Sequence, residues 1–349
     1  MSPTSSGLSA PIAQALDRIQ PGLEQVERAM REQLSSQSEA VALVGEHVLS
    51  SGGKRIRPAL LFFAAEMCGY DGPRRVQIAA SVEMLHTATL LHDDVVDLSE
   101  LRRGRPAAHA VYGNRRAVLV GDYLYARASS MIVEDGDSEI QWLFSDTIRR
   151  MAEGELLQLA RGFDPDVSET TYFDVIERKS AALLSAAAEA GAILGEVTRG
   201  ERRRLSEFGR QIGLAFQLRD DALDYSGGEE ELGKRPYDDL REGKVTLPLL
   251  LALKRGTPAE RGEVASVLKA LSRAAAHGEQ APEHGETALH PVDLAPVLRL
   301  LERYHGVEDT VRRARELAER AVACIEPFPD SSGKRALVAA ADYAVGRES

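Results

Sequence analysis

The sequence contains few cysteines, since only Cys68 and Cys324 occur among its 349 residues. Two cysteines so far apart do not form the dense disulfide framework of a small secreted domain. They are typical of reduced thiols, and we therefore expect a cytoplasmic protein.

Features that would bind a membrane or a nucleic acid are also missing. No apolar run reaches the ~20 residues of a membrane-spanning helix, so the sequence predicts no transmembrane segment. Residues 1–10 lack the basic and apolar regions of a signal peptide and are expected to form a flexible tail. The formal net charge of −11 argues against a nucleic-acid-binding protein.

Aromatic residues make up only 5% of the chain, whereas Ala and Leu are abundant, and this composition favours helices over sheets. No proline occurs between Pro106 and Pro165 or between Pro165 and Pro236, so both spans can form long helices. We predict an all-α fold. The predicted helices cover residues 11–34, 38–50, 58–69, 74–98, 114–133, 137–161, 168–195, 200–226, 293–303, 307–325 and 331–345, and residues 244–248 are expected to lead into another helix.

The chain is expected to form one large domain over residues 11–349. Hydrophobic residues make up 44% of the sequence, which is enough for a sizeable core. The segment 277–291 is rich in Gly, Glu, His and Pro and has little apolar content. We interpret it as a polar mobile insertion, because the residues that follow are too few to fold alone.

Two short acidic motifs interrupt the apolar helical pattern. Each reads Asp-Asp-x-x-Asp, at residues 93–97 and 220–224. An α-helix turns by about 100° per residue, so the three carboxylates of one motif lie within about 100° of arc. If the two helices face each other, six carboxylates line one cavity: Asp93, Asp94, Asp97, Asp220, Asp221 and Asp224.

Six carboxylates in one cavity would repel one another unless cations neutralised them. Oxygen ligands suit Mg²⁺, which proteins usually bind through one or two carboxylates together with substrate phosphates. The two motifs therefore predict a phosphate-bearing substrate bridged by several Mg²⁺ ions. Two solvated acidic helix faces are the alternative, and the apolar sequence that flanks both motifs argues against it.

Cationic residues cluster at two helix breaks. Residues 51–58 contain two glycines and three cations, and residues 101–106 contain three arginines. An anion is favoured beside a helix N-terminus, and guanidinium groups suit bidentate contact with phosphate. Solvated loops and simple charge pairing are the alternatives. His86 lies on the same helix stripe as Asp93 and Asp97 and is a candidate to donate a hydrogen bond to a phosphate. A histidine packed in the core would show the same pattern.

Four segments together resemble the trans-type isoprenyl diphosphate synthases. They are Gly-Gly-Lys-Arg-Ile-Arg-Pro (52–58), Leu-Leu-His-Asp-Asp-Val-Val-Asp (90–97), Leu-Arg-Arg-Gly-Arg-Pro (101–106) and Phe-Gln-Leu-Arg-Asp-Asp-Ala-Leu-Asp-Tyr (216–225). The segments 83–90 and 152–159 look most like the long-chain, octaprenyl-type members. The resemblance implies a single bundle of mostly antiparallel helices around a central cavity, in a homodimer.

The resemblance also implies a reaction, the head-to-tail condensation of isopentenyl diphosphate with an allylic diphosphate. The allylic diphosphate ionises with the help of Mg²⁺, the double bond of isopentenyl diphosphate attacks the carbocation, and a proton is lost. Such a reaction relies on electrostatic stabilisation and orientation. This agrees with the lack of an obvious nucleophile in the motifs.

The resemblance assigns roles to individual residues of this sequence, according to their positions in the motifs. Asp93, Asp97 and Asp220 would bind Mg²⁺, supported by Asp94, Asp221 and Asp224. Arg102, Lys179, Gln217, Lys234 and Lys244 would bind the allylic diphosphate, with Ser180 beside Lys179. Lys54, Arg57, His86 and Arg103 would bind isopentenyl diphosphate.

Product length in this family depends on the side chains that precede the first motif. Ala88 and Thr89 stand five and four residues before Asp93, and neither is aromatic. We therefore expect a long-chain product. Tyr237, where the family usually has Gly, is a departure from the pattern. So is Ser180, where Thr is common.

Other functions are compatible with parts of the pattern. A synthase of shorter chains, such as farnesyl or geranylgeranyl diphosphate, would share every motif. A class I terpene cyclase would share the first motif but usually has a different second one. An HD-type phosphohydrolase built on His92 and Asp93 would leave the second motif unexplained, and an inactive partner subunit tends to lose both.

Overall fold

The protein is described by a computed structural model that covers residues 9–102, 104–226, 237–279 and 292–346. These residues are almost entirely helical, and the all-α prediction is confirmed. The helices are α1 (Ala10–Glu32), α2 (Glu39–Leu49), α3 (Ile56–Met67), α4 (Arg74–Val96), α5 (Ala108–Tyr112), α6 (Asn114–Asp135), α7 (Ser138–Leu159), α8 (Glu169–Ile176), α9 (Ala182–Leu194), α10 (Arg199–Asp224), α11 (Asp238–Arg241), α12 (Leu247–Arg255), α13 (Pro258–Glu279), α14 (Ala295–Tyr304), α15 (Gly306–Ile325) and α16 (Ser332–Gly346).

The two helices that carry the acidic motifs pack in the interior of the bundle. Helix α10 lies against α9 and α15, and α4 lies against α6. Glycines allow α9 and α10 to approach closely. A Cβ atom at Gly209 would lie 2.5 Å from the carbonyl oxygen of Leu184, and one at Gly213 would lie 2.5 Å from Cα of Ala181.

The predicted helix boundaries agree with the structure to within a few residues, but helices α5, α11 and α13 were not predicted. Two local differences also occur. The predicted helix 168–195 contains a π-helical turn, Glu177–Ala181, between α8 and α9. A two-stranded antiparallel hairpin, β1 (Leu101–Arg102) and β2 (Arg105–Pro106), follows the first motif and was not predicted.

Parts of two predicted segments lie outside the described residues. Helix α1 begins at Ala10, within the predicted tail, and residues 1–8 are not described. In the predicted insertion, residues 277–279 end helix α13, and residues 280–291 are not described. Across the described ranges, no helix is both long and apolar enough to cross a bilayer, as the sequence predicted.

Candidate active site

Both acidic motifs lie at the C-terminal ends of their helices. The first occupies the last turn of α4 and the residue after it, and the second occupies the last turn of α10. Neither of these last turns contains a basic residue. A helix C-terminus carries a negative partial charge, so carboxylates there are unfavourable unless a cation is close. The backbone therefore adds to the attraction of this region for cations.

Lys244 supplies one such cation from a distant part of the chain. Its Nζ donates to Asp97 Oδ2 at 2.8 Å and to Glu242 Oε2 at 2.6 Å. Burial raises the pKa of Glu242 to about 7, against the opposing effect of Lys244. Burial alone would lower the pKa of Lys244, but the charges of Asp97 and Glu242 raise it well above its ordinary value. The lysine is therefore held in its charged form.

Asp94 is buried and paired with an arginine of the hairpin. Arg102 donates to Asp94 Oδ1 through Nε at 2.6 Å and contacts the same oxygen through Nη2 at 2.5 Å. The hairpin thus holds Arg102 beside the first motif. In this structure its guanidinium group is paired with a carboxylate of that motif.

Asp93 lies between carboxylates and lysines. Burial is the main cause that raises its pKa to about 6; Lys179 opposes this shift, Glu155 and Asp97 add to it, and Lys244 opposes it. Lys179 forms an ion pair with Glu155. The first motif is therefore surrounded by charges of both signs that come from α7, the π turn and the segment before α12.

The π turn that carries Lys179 and Ser180 packs closely against α7. A Cβ atom at Gly154 of α7 would lie 2.7 Å from the backbone nitrogen of Lys179 and 2.8 Å from Cβ of Arg178. Only glycine allows this approach without a shift of one element. Single π-helical turns occur frequently at functional sites, and here the turn directs two predicted site residues toward the acidic motifs.

In the second motif, Asp221 is the centre of a buried hydrogen-bond network. Tyr172 donates to Asp221 Oδ2, and Gln217 Nε2 donates to Asp221 Oδ1 at 2.8 Å. Ser180 Oγ donates to Gln217 Oε1 at 2.7 Å. Burial, followed by the charge of Asp239, raises the pKa of Asp221 well above its ordinary value. The network fixes the orientation of the Gln217 amide.

The other two aspartates of the second motif differ in exposure. Asp224 is fully buried, and its Oδ2 accepts a hydrogen bond from the backbone N–H of Asp239 at 3.3 Å. Asp220 is exposed. Of the three aspartates, Asp220 is therefore the one whose carboxylate is open to a ligand from solvent.

A cavity of about 120 Å³ lies between Lys179, Asp221 and Lys244. Its walls are formed mainly by α7, α8, the π turn, α10 and the segment before α12. The lining includes Gln158, Arg161, Tyr172, Lys179, Ser180, Gln217, Asp221, Asp239 and Lys244.

The cationic residues of the basic loop before α3 make different contacts. Gly52 (φ 74°) and Arg55 (φ 48°) adopt left-handed backbone conformations. Arg55 donates to Glu83 at 2.8 Å and to Glu27 at 3.1 Å, so it holds the loop against α1 and α4. Lys54 instead lies over an aromatic ring of α16. Two further predicted ligands, Arg57 in α3 and His86 in α4, are both half-buried.

The predicted chain-length residues differ in their environments. Ala88 is fully buried in a hydrophobic cluster, whereas Thr89 is half-buried and donates to the carbonyl oxygen of His86 at 2.8 Å. A separate cleft of about 490 Å³ lies between α6 and α7. The sequence did not predict this cleft, whose lining includes Tyr125, Ser129, Ile132, Phe144, Ile148 and Ala152.

Two predicted site residues, Arg103 and Lys234, lie outside the described part of the chain. Three residues at the site were missed, namely Glu155, Tyr172 and Glu242. Glu155 lies within the segment 152–159, and Glu242 lies two residues before Lys244. Their charge was the signal that could have identified them. Tyr172 sits on an apolar helix face, and nothing in its sequence context marked its hydroxyl group.

The donor set fits a hard divalent cation that is shared with an anionic ligand. The groups near the cavity are carboxylate oxygens and cationic nitrogens. Burial, and after it the charges of Glu155 and Asp97, raise the pKa of Asp93, and a bound cation would favour its ionised form. In the described ranges, no three acidic, histidine or cysteine side chains converge as a preformed metal centre. Carboxylates on two separate walls would therefore need ligand oxygens to complete a coordination shell.

Comparison with known proteins decides which family has this architecture. The sequence model of the family described as polyprenyl synthetase matches residues 38–284. The chain belongs to this family. The octaprenyl diphosphate synthase of Escherichia coli (strain K12) is 42% identical to it over 93% of this chain and 95% of that protein.

Solved structures of polyprenyl synthetases have the same fold. A polyprenyl synthase from Caulobacter crescentus CB15, complexed with calcium and isoprenyl diphosphate, is 38% identical, with a TM-score of 0.87 over 99% of this chain and 100% of that chain. A decaprenyl diphosphate synthase from Rhodobacter capsulatus is 36% identical, with a TM-score of 0.85 over 96% of this chain and 98% of that chain.

The resemblance stated from the motifs is thus confirmed, and the chain is a trans-type prenyltransferase of isoprenoid biosynthesis.

Proposed function

We propose that this polyprenyl synthetase condenses isopentenyl diphosphate with an allylic diphosphate in a Mg²⁺-dependent, head-to-tail reaction. The observation that carries the proposal is the cavity lined by Asp221 of the second motif, Lys179 and Lys244, together with the contact of Lys244 with Asp97 of the first motif. A diphosphate bridged by metal ions on its acidic side and bound by lysines on the other would satisfy both sets of charges.

Asp93, Asp97 and Asp220 would hold the Mg²⁺ ions, with Asp94, Asp221 and Asp224 as supporting residues. When bound, Mg²⁺ would stabilise the negative charge of the departing diphosphate. Asp94 would orient the first motif through Arg102, and Asp221 would orient Gln217.

The remaining predicted residues would bind and orient the two substrates. The allylic diphosphate would contact Arg102, Lys179, Ser180, Gln217, Lys234 and Lys244, and isopentenyl diphosphate would contact Lys54, Arg57, His86 and Arg103. Lys244 is charged and its side chain is only 19% exposed, so it would stabilise a developing pyrophosphate charge more strongly than a solvated lysine.

We infer that the product is a long, octaprenyl-like chain. The absence of an aromatic side chain at Ala88 and Thr89 supports this, as does the cleft of about 490 Å³ between α6 and α7. On α7, the cleft-lining Ala152 lies one turn from Glu155 at the acidic site. A growing apolar chain could therefore extend from the site along these helices. A shorter product, such as geranylgeranyl diphosphate, is the alternative.

We also infer a homodimer. Helix α6 exposes Leu119 and Val133, with relative exposures of 66% and 62%, and Trp142 of α7 is 68% exposed. Leu119, Ala126 and Val133 recur at intervals of seven residues, the spacing with which a helix packs along a partner helix. A two-fold interface over α6 and α7 would cover this stripe.

The two free thiols fit a cytoplasmic location, and one domain over residues 11–349 remains our proposal.

Product analysis tests the proposal. Purified protein would be incubated with labelled isopentenyl diphosphate, farnesyl diphosphate and Mg²⁺, with EDTA as the control, and the chain lengths would be resolved. We expect metal-dependent products in the octaprenyl range. Products that stop at geranylgeranyl would refute the long-chain inference alone, and a lack of elongation with every primer would refute the condensation.

A further inference from the structure

The C-terminal helix α16 contacts the basic loop through one aromatic ring. Lys54 Nζ lies over the ring of Tyr343, 5.2 Å from its centroid, and Tyr343 is 2% exposed. A cation within about 6 Å of an aromatic face is attracted by the ring quadrupole, and the attraction grows as water is excluded. The ring therefore favours one position of the Lys54 ammonium group.

The backbone around Lys54 is already fixed, which leaves its side chain as the adjustable part. Arg55 holds the loop through Glu83 and Glu27, and Gly52 and Arg55 adopt left-handed conformations. A lysine side chain is long and flexible. A defined position for Nζ therefore depends on a contact beyond the loop itself.

The same ring also touches the helix of the second acidic motif. The rings of Tyr343 and Phe216 are 5.9 Å apart and inclined at 67°, an edge-to-face contact. Phe216 immediately precedes Gln217 in α10. One residue of α16 thus packs between the basic loop and the wall that carries Gln217.

We propose that Tyr343 is a positioning residue for isopentenyl diphosphate, because its ring holds Lys54 where the lysine meets the diphosphate of that substrate. The inference rests on the proposed function, in which Lys54 binds isopentenyl diphosphate. It adds the C-terminal helix to a binding site that the sequence motifs assign only to residues 54–103.

Three variants test this role by steady-state kinetics with each substrate varied in turn. Tyr343→Leu removes the ring, and Tyr343→Phe keeps it. Phe62→Leu is the matched control, because this buried ring has a similar cation contact, with Arg75 5.0 Å from its centroid. Arg75 lies at the N-terminal end of α4, and the acidic motif lies at the C-terminal end. Tyr343→Met replaces the Leu variant if that protein does not fold.

We expect Tyr343→Leu to raise the KM for isopentenyl diphosphate by about three- to tenfold, the effect of losing a partly desolvated cation–π contact. The KM for farnesyl diphosphate and kcat should change by less than about twofold. Tyr343→Phe should resemble the wild type. Phe62→Leu should lower the thermal midpoint without a selective change in KM.

A double-mutant cycle separates positioning from a loss of packing. In a Lys54→Met background, Tyr343→Leu should leave the KM for isopentenyl diphosphate unchanged. Equal rises in both KM values, or a Tyr343→Phe protein as impaired as Tyr343→Leu, would overturn the inference while the condensation itself stands. A wild-type protein that does not condense the two substrates would instead refute the proposed function.

Discussion

Lys244 and Asp97 are 147 residues apart in the sequence, yet the lysine Nζ donates to the aspartate Oδ2 at 2.8 Å. Asp97 follows the last turn of α4, and Lys244 precedes α12. The ion pair therefore joins the first motif to the cavity wall that carries Lys244. Glu242, also paired with Lys244, makes the group a triad of two carboxylates and one cation.

Removal of this cation should destabilise the protein. Lys244→Met leaves Asp97 and Glu242, whose side chains are 14% and 21% exposed, without their counter-charge, and this should cost about 1–3 kcal/mol. We expect that loss in urea unfolding at pH 8, and a smaller loss near pH 6, where Glu242, with a pKa of about 7, takes up a proton. Activity should fall by more than about tenfold.

The control for this variant is Lys254→Met, whose side chain is 75% exposed and lies 3.9 Å from Glu169. Exposed pairs contribute little to stability, so its unfolding curve should match the wild type. Glu242→Gln combined with Lys244→Met should recover part of the stability. A Lys244→Met protein as stable as the wild type at pH 8 would contradict the triad.

The raised pKa of Asp93 predicts a pH-dependent difference in stability. A carboxylate with a folded-state pKa of about 6 and an ordinary value of 3.8 stabilises the fold when protonated. That contribution is complete below pH 3.8 and is lost as pH rises through 6. Asp93→Asn should therefore be more stable than the wild type above pH 6, by about 1–3 kcal/mol, and the difference should shrink toward pH 5.

Urea unfolding without divalent metal, between pH 5 and pH 8, measures this difference. Asp17→Asn, on the exposed face of α1, is the control and should follow the wild type at every pH. A constant difference between Asp93→Asn and the wild type across the range would show that burial does not raise this pKa. Activity of Asp93→Asn should fall by at least about 100-fold if the residue holds Mg²⁺.

Loss of the Tyr172 hydroxyl group should weaken the hydrogen-bond network around Asp221 of the second motif. Tyr172→Phe removes a buried donor to Asp221, and an unsatisfied buried acceptor costs about 1–3 kcal/mol. The Gln217 amide would also lose part of its orientation. We expect a lower thermal midpoint together with a lower kcat.

The matched control is Tyr304→Phe, which removes a tyrosine–carboxylate hydrogen bond of 3.0 Å to Glu260, away from the cavity. Its kcat should equal that of the wild type. If both variants lower kcat alike, Tyr172 has no specific role at the site.

The different environments of Ala88 and Thr89 predict different effects of the same substitution. Thr89→Phe adds a ring at a half-buried position and should shorten the product without a large loss of stability. Ala88→Phe overpacks a fully buried position and should cost about 1–3 kcal/mol. Product chain lengths and unfolding midpoints of both variants check this. Unshortened products from Thr89→Phe would exclude Thr89 from the path of the chain.

Local sequence signals predicted the helices well because each helix has its own apolar pattern. The sequence predicted 74–98, and α4 is Arg74–Val96. The π turn Glu177–Ala181 was missed because its residues are ordinary helix formers, and its close packing against Gly154 involves another helix. The hairpin after the first motif was missed because each strand has only two residues.

The acidic residues of the site were predictable, but their partners were not. Repeated Asp-Asp-x-x-Asp spacing identifies the aspartates without any knowledge of the fold. The pairing of Lys244 with Asp97, and of Tyr172 with Asp221, depends on how distant helices pack. Lys54 and Arg55 are adjacent in sequence, yet Lys54 contacts Tyr343 while Arg55 contacts Glu27 and Glu83, and these partners depend on the fold.

The position of both acidic motifs at helix C-termini has a consequence for engineering this protein. Substitutions that favour the folded state alone would replace Asp93 with a neutral residue, because burial, the helix dipole and the neighbouring carboxylates all oppose its negative charge. A procedure that selects for thermal stability without substrate would therefore remove this proposed Mg²⁺ ligand first. Selection for stability should be carried out with Mg²⁺ and a diphosphate bound, where the same charges favour the native state.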